Sequence, residues 1–487
     1  MALADQPMAS DSPLRLSIND SFYAPRIYMT TLIGYDMQSL GQTGSAMLVD
    51  VLGSMVGETV KEYPVLHGTV ALDPLSHGMR MVAHMPSSAD CTLQNVFSVV
   101  DHSTSSTMSY AEAEASKFAP SRFDISALCR YPTPHSHQDP QPIFAVQANF
   151  VDGGIIITFQ LHHSIADGRT LSQLANFMKA LLGQKERPPV PELMFRLEAF
   201  EDSISPGCPH ESVLHCDERK LVEKDNETVG VFGQGKQSGN ILQALLLTPT
   251  PKIAELHERT NHALQQAGEA ARVSKNDVLG AYIWCCITAA RYEAGKIGTS
   301  SSSSCYVPVD WRKRVIPEVP EAYFGSATLT VRITESVDSL TTAIVAMQSE
   351  NDVLPLEKIA LAVRAGVSEV DTTFVKRRLQ LALSVEAANI EAGRPKLQIQ
   401  HTFEPTAGID VVLSTLAPIF KFDDASLAMM QPGFMRAMHN TSCDGVIDVV
   451  PGVDGGRMEM TMALSEMAMK KLGDMEAWKA LVKETIL

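Results

Sequence analysis

Two adjacent histidines, followed after three residues by an aspartate and a glycine, are the residues best suited to chemistry in this sequence. They stand in the segment LHHSIADG, which contains His162, His163, Asp167 and Gly168. Imidazole is the side chain whose ordinary pKa lets it both take up and return a proton near neutral pH. Moving an acyl group onto a hydroxyl or an amine needs both steps. The segment therefore predicts that one of these histidines acts as a general base.

Two other interpretations of the same segment are weaker. The histidines could be structural residues on a turn, with Asp167 as the N-cap of the next helix. The hairpin before the pair and the helix after it favour the catalytic interpretation. A metal site is disfavoured because two histidines and one aspartate are few ligands, and adjacent side chains at a strand end point to opposite faces. We therefore expect no metal site, and only one histidine facing any given cavity.

The elements around the pair are predicted by the local pattern. Two β-rich runs, IFAVQANF and IIITFQL, flank Asp152-Gly153-Gly154, which is typical of a hairpin. After the motif, Leu171, Leu174 and Phe177 recur at helical spacing. The histidines are thus expected where a strand ends and a turn leads into a helix.

A second helix is predicted where Ser274-Lys275-Asn276-Asp277 precedes an apolar run, with Ser274 as N-cap. The run VLGAYIWCCITAARY is apolar on almost all sides, so this helix is expected to be buried. The serine run 300–304 is expected to be a flexible tip, and YVPVDWRKRVIP a strand that leads into a loop.

Composition excludes several classes of protein. The chain has 487 residues, 45% hydrophobic and 20% charged, with a net charge of −16 and no basic run, so a nucleic-acid partner is not expected. No stretch reaches the ~18 apolar residues of a membrane span, and the first residues lack the pattern of a secretion signal. Eight scattered cysteines without a C-x-x-C pair indicate a reducing compartment. We expect a cytoplasmic protein that does not bind membranes.

The chain is divided by its weakest stretch. Residues 191–240 hold breakers and charges with little periodicity, and are interpreted as a long crossover between an N-terminal domain, 1–190, and a C-terminal domain, 241–487. Gly230 to Lys236 has the spacing of a phosphate-binding loop, but Gln237 stands where Ser or Thr must hold magnesium, so a nucleotide site is not expected.

The segment GGIIITFQLHHSIADG resembles the active-site motif of the BAHD acyltransferases, which belong to the chloramphenicol-acetyltransferase-like superfamily. EYPVLHG, VSKNDVLGAYIWCCITAAR and VDWRKRVIPEVPEAYFGSA resemble further family segments in the same order, so the resemblance covers most of the chain. It implies a monomer with an α/β fold of two chloramphenicol-acetyltransferase-like domains, each a mixed β-sheet with helices, joined by the crossover.

The resemblance assigns roles residue by residue. His163 matches the catalytic general base, and Asp167 matches the motif aspartate, which points away from the reaction and binds an arginine. Arg312 of VDWRKR is its expected partner. Ser274 and Lys275 match positions that often contact coenzyme A, although a simple helix cap explains them equally well, and Lys275 replaces the usual small residue.

One departure from the family concerns its second signature, Asp-Phe-Gly-Trp-Gly. Here the matching stretch is FDDASLAMMQPGFMR, in which Asp424 takes the place of the motif aspartate while the aromatic residue and the glycines are missing. Pro432 and Arg436 align with the residues that follow the motif. Met429, Met430 and Met435 lie in or beside the altered stretch; adaptable core packing is the first interpretation of these methionines, and a pliable apolar wall for a bulky substrate is the alternative.

The resemblance implies an acyl-CoA-dependent O-acyltransferase that transfers an acyl group, expected to be acetyl, to a hydroxyl of a specialised metabolite, as a diverged fungal-type member of the family. Acyl-CoA and a small acceptor are then substrates, and no cofactor is bound permanently. Two alternatives stay open. One is a transferase that uses a carrier-protein thioester or forms another bond, and the other is a non-acylating cyclase or binding protein.

Overall fold

The computed structural model describes residues 13–23, 27–37, 41–87, 90–104, 109–131, 140–182, 186–191, 197–223, 240–315, 319, 321–348, 354–403, 409–415, 432–438, 443–453 and 455–486. Within these residues the strands, numbered in chain order, are β1 (Leu14–Arg15), β2 (Tyr28–Asp36), β3 (Thr69–Leu72), β4 (Met81–His84), β5 (Phe97–Asp101), β6 (Gln141–Pro142), β7 (Phe144–Val151), β8 (Gly154–His162), β9 (Arg219–Glu223), β10 (Ile241–Pro249), β11 (Ser302–Asp310), β12 (Thr328–Ser336), β13 (Leu397–His401), β14 (Val411–Thr415), β15 (Phe434–Met438), β16 (Val446–Pro451), β17 (Arg457–Ser465) and β18 (Glu484–Ile486). The helices are α1 (Gly41–Glu62), α2 (Leu93–Val96), α3 (Tyr110–Ala115), α4 (Ile125–Leu128), α5 (Gly168–Leu182), α6 (Glu198–Glu201), α7 (Pro209–Ser212), α8 (Thr250–Gln266), α9 (Lys275–Glu293), α10 (Val337–Gln348), α11 (Leu354–Ser368), α12 (Thr372–Ala392), α13 (Glu466–Asp474) and α14 (Glu476–Leu481).

The predicted hairpin is present as β7 and β8, which pair along their whole length. Its turn contains Gly153 at φ 76°, a left-handed conformation that glycine adopts without steric cost. β8 then leads through a short 3₁₀ turn into α5, as predicted, and Leu174 and Phe177 of that helix are buried. Strand, turn and helix thus hold the histidine pair at one fixed place.

In the part of the chain that is described, β8 lies at the centre of a five-stranded mixed sheet with the order β15-β2-β8-β7-β5. The edge strand β15 comes from the C-terminal half of the sequence and pairs antiparallel with β2. The predicted domain boundaries at residues 190 and 240 did not anticipate that a strand of the C-terminal half joins this sheet. One segment of the C-terminal half completes the sheet of the N-terminal half.

A second mixed sheet has seven described strands in the order β12-β11-β14-β16-β17-β10-β18. The long helix α9 packs against it and is buried from Asp277 to Arg291, which agrees with its almost wholly apolar sequence. The predicted crossover is partly structured, because β9 pairs antiparallel with β13. The division into domains 1–190 and 241–487 stays a prediction, whereas the mixed α/β fold class is confirmed.

The predicted flexible tip at 300–304 was wrong for its last three residues. β11 begins at Ser302, and Ser303 and Ser304 are buried. The Ser303 hydroxyl accepts a hydrogen bond from the Trp284 indole at 2.9 Å and donates one to the Ile409 carbonyl at 2.7 Å. Buried partners therefore override the loop preference of serine.

Candidate active site

His163 lies at the carboxyl end of β8, where it begins the turn that leads to α5. Its backbone N–H donates to the Ile27 carbonyl at 2.7 Å, and the N–H of His162 donates to the Ile143 carbonyl at 2.8 Å. These bonds tie the turn to the chain on both sides of β8. The histidine pair is therefore held at the position that the sequence predicts.

The side chain of His163 is partly buried and lines a cavity between the two large sheets. The N-terminal sheet and α5 form one side of this cavity, and β14 and β16 of the second sheet form the other. The other lining residues are Met29, Thr30, Thr31, Gly168, Leu171, Ser414, Met435, Ala437, Asp448 and Val450. The imidazole thus faces a space to which both halves of the chain contribute.

His162 points to the other side of the strand. Its ring is fully buried, with Nε2 2.9 Å from Oε1 of Gln141 and Nδ1 accepting the backbone N–H of Ser164 at 3.2 Å. The hydrogen-bond network therefore assigns the ring proton to Nε2, which donates to Gln141. The edge of the ring meets Tyr28 at 5.3 Å between centroids. His162 has a structural role, and His163 is the member of the pair that faces the cavity.

Asp167 points away from the cavity and forms a bidentate pair with Arg312. Nη1 and Nη2 of Arg312 donate to its two carboxylate oxygens at 2.8 and 3.1 Å. The backbone N–H groups of Thr170 and Ala327 and the hydroxyl of Thr328 also donate to Asp167, at 3.0, 2.9 and 3.0 Å. Burial opposes ionisation, but the Arg312 charge and these donors outweigh it and lower the pKa of Asp167 to about 2. The carboxylate is therefore ionised and locked.

Arg312 also fixes the loop 321–327 that follows it. Its guanidinium donates to the carbonyls of Tyr323 and Gly325 at 3.0 and 2.6 Å. On its other side the loop is held by Asp20, which accepts hydrogen bonds from the Tyr323 hydroxyl at 2.6 Å and from the backbone N–H of Ser326. No sequence pattern marks Asp20, because it stands in a short segment without a motif.

Ser274 and Lys275 do not line the cavity. The Ser274 hydroxyl accepts the N–H of Asp277 at 3.3 Å, and the Asp277 carboxylate accepts the N–H of Ser274 at 2.5 Å, so the two form a complete capping box. Arg364 donates to the same carboxylate at 2.7 Å. Lys275 is exposed at the first position of α9. The predicted helix cap is present, and a contact of these residues with coenzyme A stays a prediction.

The altered second signature falls largely outside the described residues. Asp424, Met429 and Met430 all lie in 416–431, which is not described. Arg436 is described, and its guanidinium pairs with Glu459 and donates to the Phe118 carbonyl at 3.3 Å. Burial lowers the pKa of Arg436. This arginine anchors β15 against its neighbours.

The residues that the sequence did not predict are the polar side chains contributed to the cavity by other strands. Thr30 and Thr31 come from β2, Ser414 from β14 and Asp448 from β16. Asp448 had a detectable signal, because it interrupts the apolar run VIDVVP with a charge. Ser414 and the threonines are ordinary strand residues, and only the fold shows that they line the cavity of His163.

No group of three or more possible metal ligands occurs in the described part of the chain. Among these residues, none of the helices is both long enough and apolar enough to cross a membrane.

Comparison with known proteins identifies the family to which the chain belongs. A family model described as the Transferase family matches residues 1–477. An O-acetyltransferase, ptmV, of Penicillium ochrochloron is 26% identical over 267 residues, which are 51% of this chain and 52% of the relative. Putrescine hydroxycinnamoyltransferase 1 of Oryza sativa subsp. japonica is 27% identical over 327 residues, 66% of each chain. These matches thus span about half to two thirds of the relatives' lengths.

The fold has a solved counterpart along nearly the whole chain. The structure of TRI101 from F. graminearum, determined with coenzyme A and deoxynivalenol, has a TM-score of 0.76 at 16% identity. It covers 98% of this chain and 100% of that one. This likeness shows the fold.

Proposed function

The chain belongs to the Transferase family, that of the BAHD acyltransferases, and from this membership we propose that it is an acyl-CoA-dependent O-acyltransferase. The acyl group is proposed to be acetyl and the acceptor a hydroxyl of a small specialised metabolite. The observation that carries this proposal is the placement of His163 in the cavity between the two sheets. The relatives named for acetyl transfer and the fold neighbour solved with coenzyme A support it.

In the proposed reaction, Nε2 of His163 takes the proton of the acceptor hydroxyl as its oxygen attacks the thioester carbonyl carbon. A carbon–oxygen bond forms and the carbonyl oxygen becomes an oxyanion. Thr31 and Ser414 line the same cavity, and their hydroxyls are the candidate donors to that oxyanion. The carbon–sulfur bond then breaks, and the thiolate of coenzyme A takes the proton back from His163. Ester and free coenzyme A are the products.

Asp167 and Arg312 are proposed as positioning residues rather than reactants. Their buried pair lies behind the turn that carries His163 and is itself held by the loop 321–327. A bidentate carboxylate–guanidinium pair fixes geometry as well as charge. We infer that it sets the direction of the imidazole.

Ser274 and Lys275 are proposed to lie beside the coenzyme A. The capping box already accounts for Ser274, so the exposed ammonium of Lys275 is the group left to contact a phosphate. Replacement of Lys275 by Ala would then raise KM for acyl-CoA and leave stability unchanged.

The proposal also includes the location, oligomeric state and domain division of the protein. We propose a cytoplasmic monomer with an N-terminal domain, 1–190, and a C-terminal domain, 241–487.

The test is thiol release from acetyl-CoA in the presence of a panel of alcohols. His163→Ala should lower kcat by about 10²- to 10⁴-fold at an unchanged melting temperature. His84→Ala is the matched control, because His84 is exposed on β4. Full thiol release by His163→Ala would overturn the proposal. Conversion of an acceptor without acetyl-CoA would favour a non-acylating protein.

A further inference from the structure

Asp448 is the one carboxylate among the described residues that line the cavity of His163. It lies on β16, where Ile447 and Val449 are buried in the hydrophobic core and Asp448 and Val450 face the cavity. This alternation follows from the two-residue period of a strand. Only 5% of Asp448 and 5% of Val450 is exposed to solvent, so the carboxylate belongs to the cavity wall rather than to the surface.

A hydroxyl stands beside this carboxylate. β14 and β16 are parallel, and Ser414 is the register partner of Asp448. Partners on neighbouring strands lie about 5 Å apart and point to the same face. Ser414 and Asp448 thus form a polar pair on the wall of the second sheet, and His163 lines the same cavity from the first sheet.

The surroundings of this pair are largely apolar. Met29, Leu171, Met435 and Val450 line the same cavity. A carboxylate oxygen accepts more than one hydrogen bond, so a bound molecule interacts well with Asp448 by bringing an O–H or N–H group.

We propose that Asp448 determines which acceptor is acylated, by accepting a hydrogen bond from a second donor group next to the hydroxyl that His163 deprotonates. The acceptor class is then a compound with two neighbouring donors, a vicinal diol or an amino alcohol. This inference rests on the proposed function. Asp448 binds the acceptor and takes no proton in the reaction, so it is a specificity residue.

The experiment uses three probes with the same ring: cyclohexanol, trans-1,2-cyclohexanediol and trans-2-aminocyclohexanol. Thiol release from acetyl-CoA is measured for the wild type, Asp448→Asn and the control Asp50→Asn, which changes an exposed residue of α1. The wild type should prefer a two-donor probe to cyclohexanol by about 10- to 100-fold in kcat/KM. Asp448→Asn should lose most of this preference through a higher KM for the acceptor. The activity toward cyclohexanol, which brings no second donor, should fall much less than the activity toward the two-donor probes.

The diol and the amino alcohol distinguish a neutral from a cationic second donor. A preference that survives in Asp448→Asn overturns the proposal. An equal loss of activity toward cyclohexanol also overturns it, because it indicates a structural role.

Binding of the same probes to the CoA-loaded protein, measured by calorimetry, separates this inference from the proposed function. If no probe is acylated but diol or amino alcohol binding is weakened by Asp448→Asn, the acyl transfer is wrong and the binding role stands. If no probe is acylated, and if Asp448→Asn changes the binding of neither two-donor probe, then both the proposed acyl transfer and the binding role of Asp448 are wrong.

Discussion

Two buried carboxylates hold opposite sides of the loop 321–327, and their pKa values are shifted in opposite directions. Asp167 has Arg312 as an ion-pair partner, which outweighs its burial and lowers its pKa to about 2. Asp20 is fully buried among neutral donors, namely Ser17, Tyr323 and Ser326. Burial dominates there and raises the pKa of Asp20 to about 7, although these hydrogen bonds lower it in part.

The first prediction concerns the Asp167 pair. Asp167→Asn leaves the buried Arg312 without its main counter-charge and should destabilise the protein by about 3–5 kcal/mol. Because the turn with His163 is then loosened, kcat should fall as well. Urea unfolding and thiol release measure the two effects. Asp310→Asn is the control, since Asp310 is partly exposed and also bonds Arg312; it should cost about 1 kcal/mol. An equal loss of unfolding free energy in the two variants would contradict the assigned role of Asp167.

The second prediction concerns pH and Asp20. A carboxyl whose pKa is higher in the folded than in the unfolded state binds its proton more tightly when folded. Its contribution to stability is therefore complete below pH 3.8 and is lost as the pH rises through about 7. Asp20→Asn cannot ionise, so its stability deficit relative to the wild type should be largest at about pH 4 and shrink steadily until about pH 7. Melting temperatures across this range test this, and a constant deficit would contradict it.

At this scale the sequence predicted the residues that form a local motif. His163 and Asp167 come from one segment, and Arg312 was found through family resemblance. Asp448 is marked in the sequence only by the charge that interrupts VIDVVP, and Ser414 by nothing, because both reach the cavity from strands that are far from His163 along the chain. Nothing local to β14 or β16 indicates which face meets His163.

At the scale of elements, β15 shows what the sequence could not predict. The hairpin of β7 and β8, the helix α5 and the capped start of α9 all follow from local patterns, and all three are present. Pairing of β15 with β2 depends instead on a close approach of Phe434 to Gly34. Such a long-range contact has no local signature.

The third prediction tests that contact. A Cβ on Gly34 would lie 1.9 Å from Cε1 of Phe434, whose buried ring stacks on Phe118 at 4.3 Å and cannot move away freely. Gly34→Ala should therefore cost about 1–3 kcal/mol. It should also reduce activity, because β15 carries cavity residues.

The matched control is Gly57→Ala in the interior of α1, where a Cβ would meet nothing within 4 Å. That change should stabilise the protein by about 0.5–1 kcal/mol. Chemical denaturation gives both values. A Gly34→Ala protein as stable as the wild type would show that β15 is not packed against β2.

At the scale of the whole molecule, a buried ion cluster joins distant parts of the chain. Nε of Arg80, next to β4, donates to Glu386 of α12 at 2.8 Å, and its Nη1 donates to Glu201 of α6 at 2.8 Å. Arg15 of β1 reaches Glu386 from outside at 2.8 Å. Burial raises the pKa of Glu201, and Arg80 counteracts this rise. These ion pairs therefore connect the N-terminal half of the chain to its C-terminal half.

The fourth prediction is that Glu386→Gln destabilises the protein by about 3–5 kcal/mol, because Arg80 loses one of its two buried counter-charges. Glu58→Gln, in the exposed pair with Lys61, should leave the melting temperature unchanged within error. Thermal unfolding of both variants measures this difference in stability. Similar melting temperatures for the two would mean that the cluster does not hold the halves together.

The central claim is that a thioester is brought to His163 in the cavity between the two sheets. The most direct measurement is a crystal structure of the protein with coenzyme A. The account predicts that the thiol sulfur of coenzyme A enters the cavity and lies within about 4 Å of the His163 ring, the range of close non-bonded contact. A coenzyme A that binds elsewhere, with its sulfur outside the cavity lined by His163, would contradict the account.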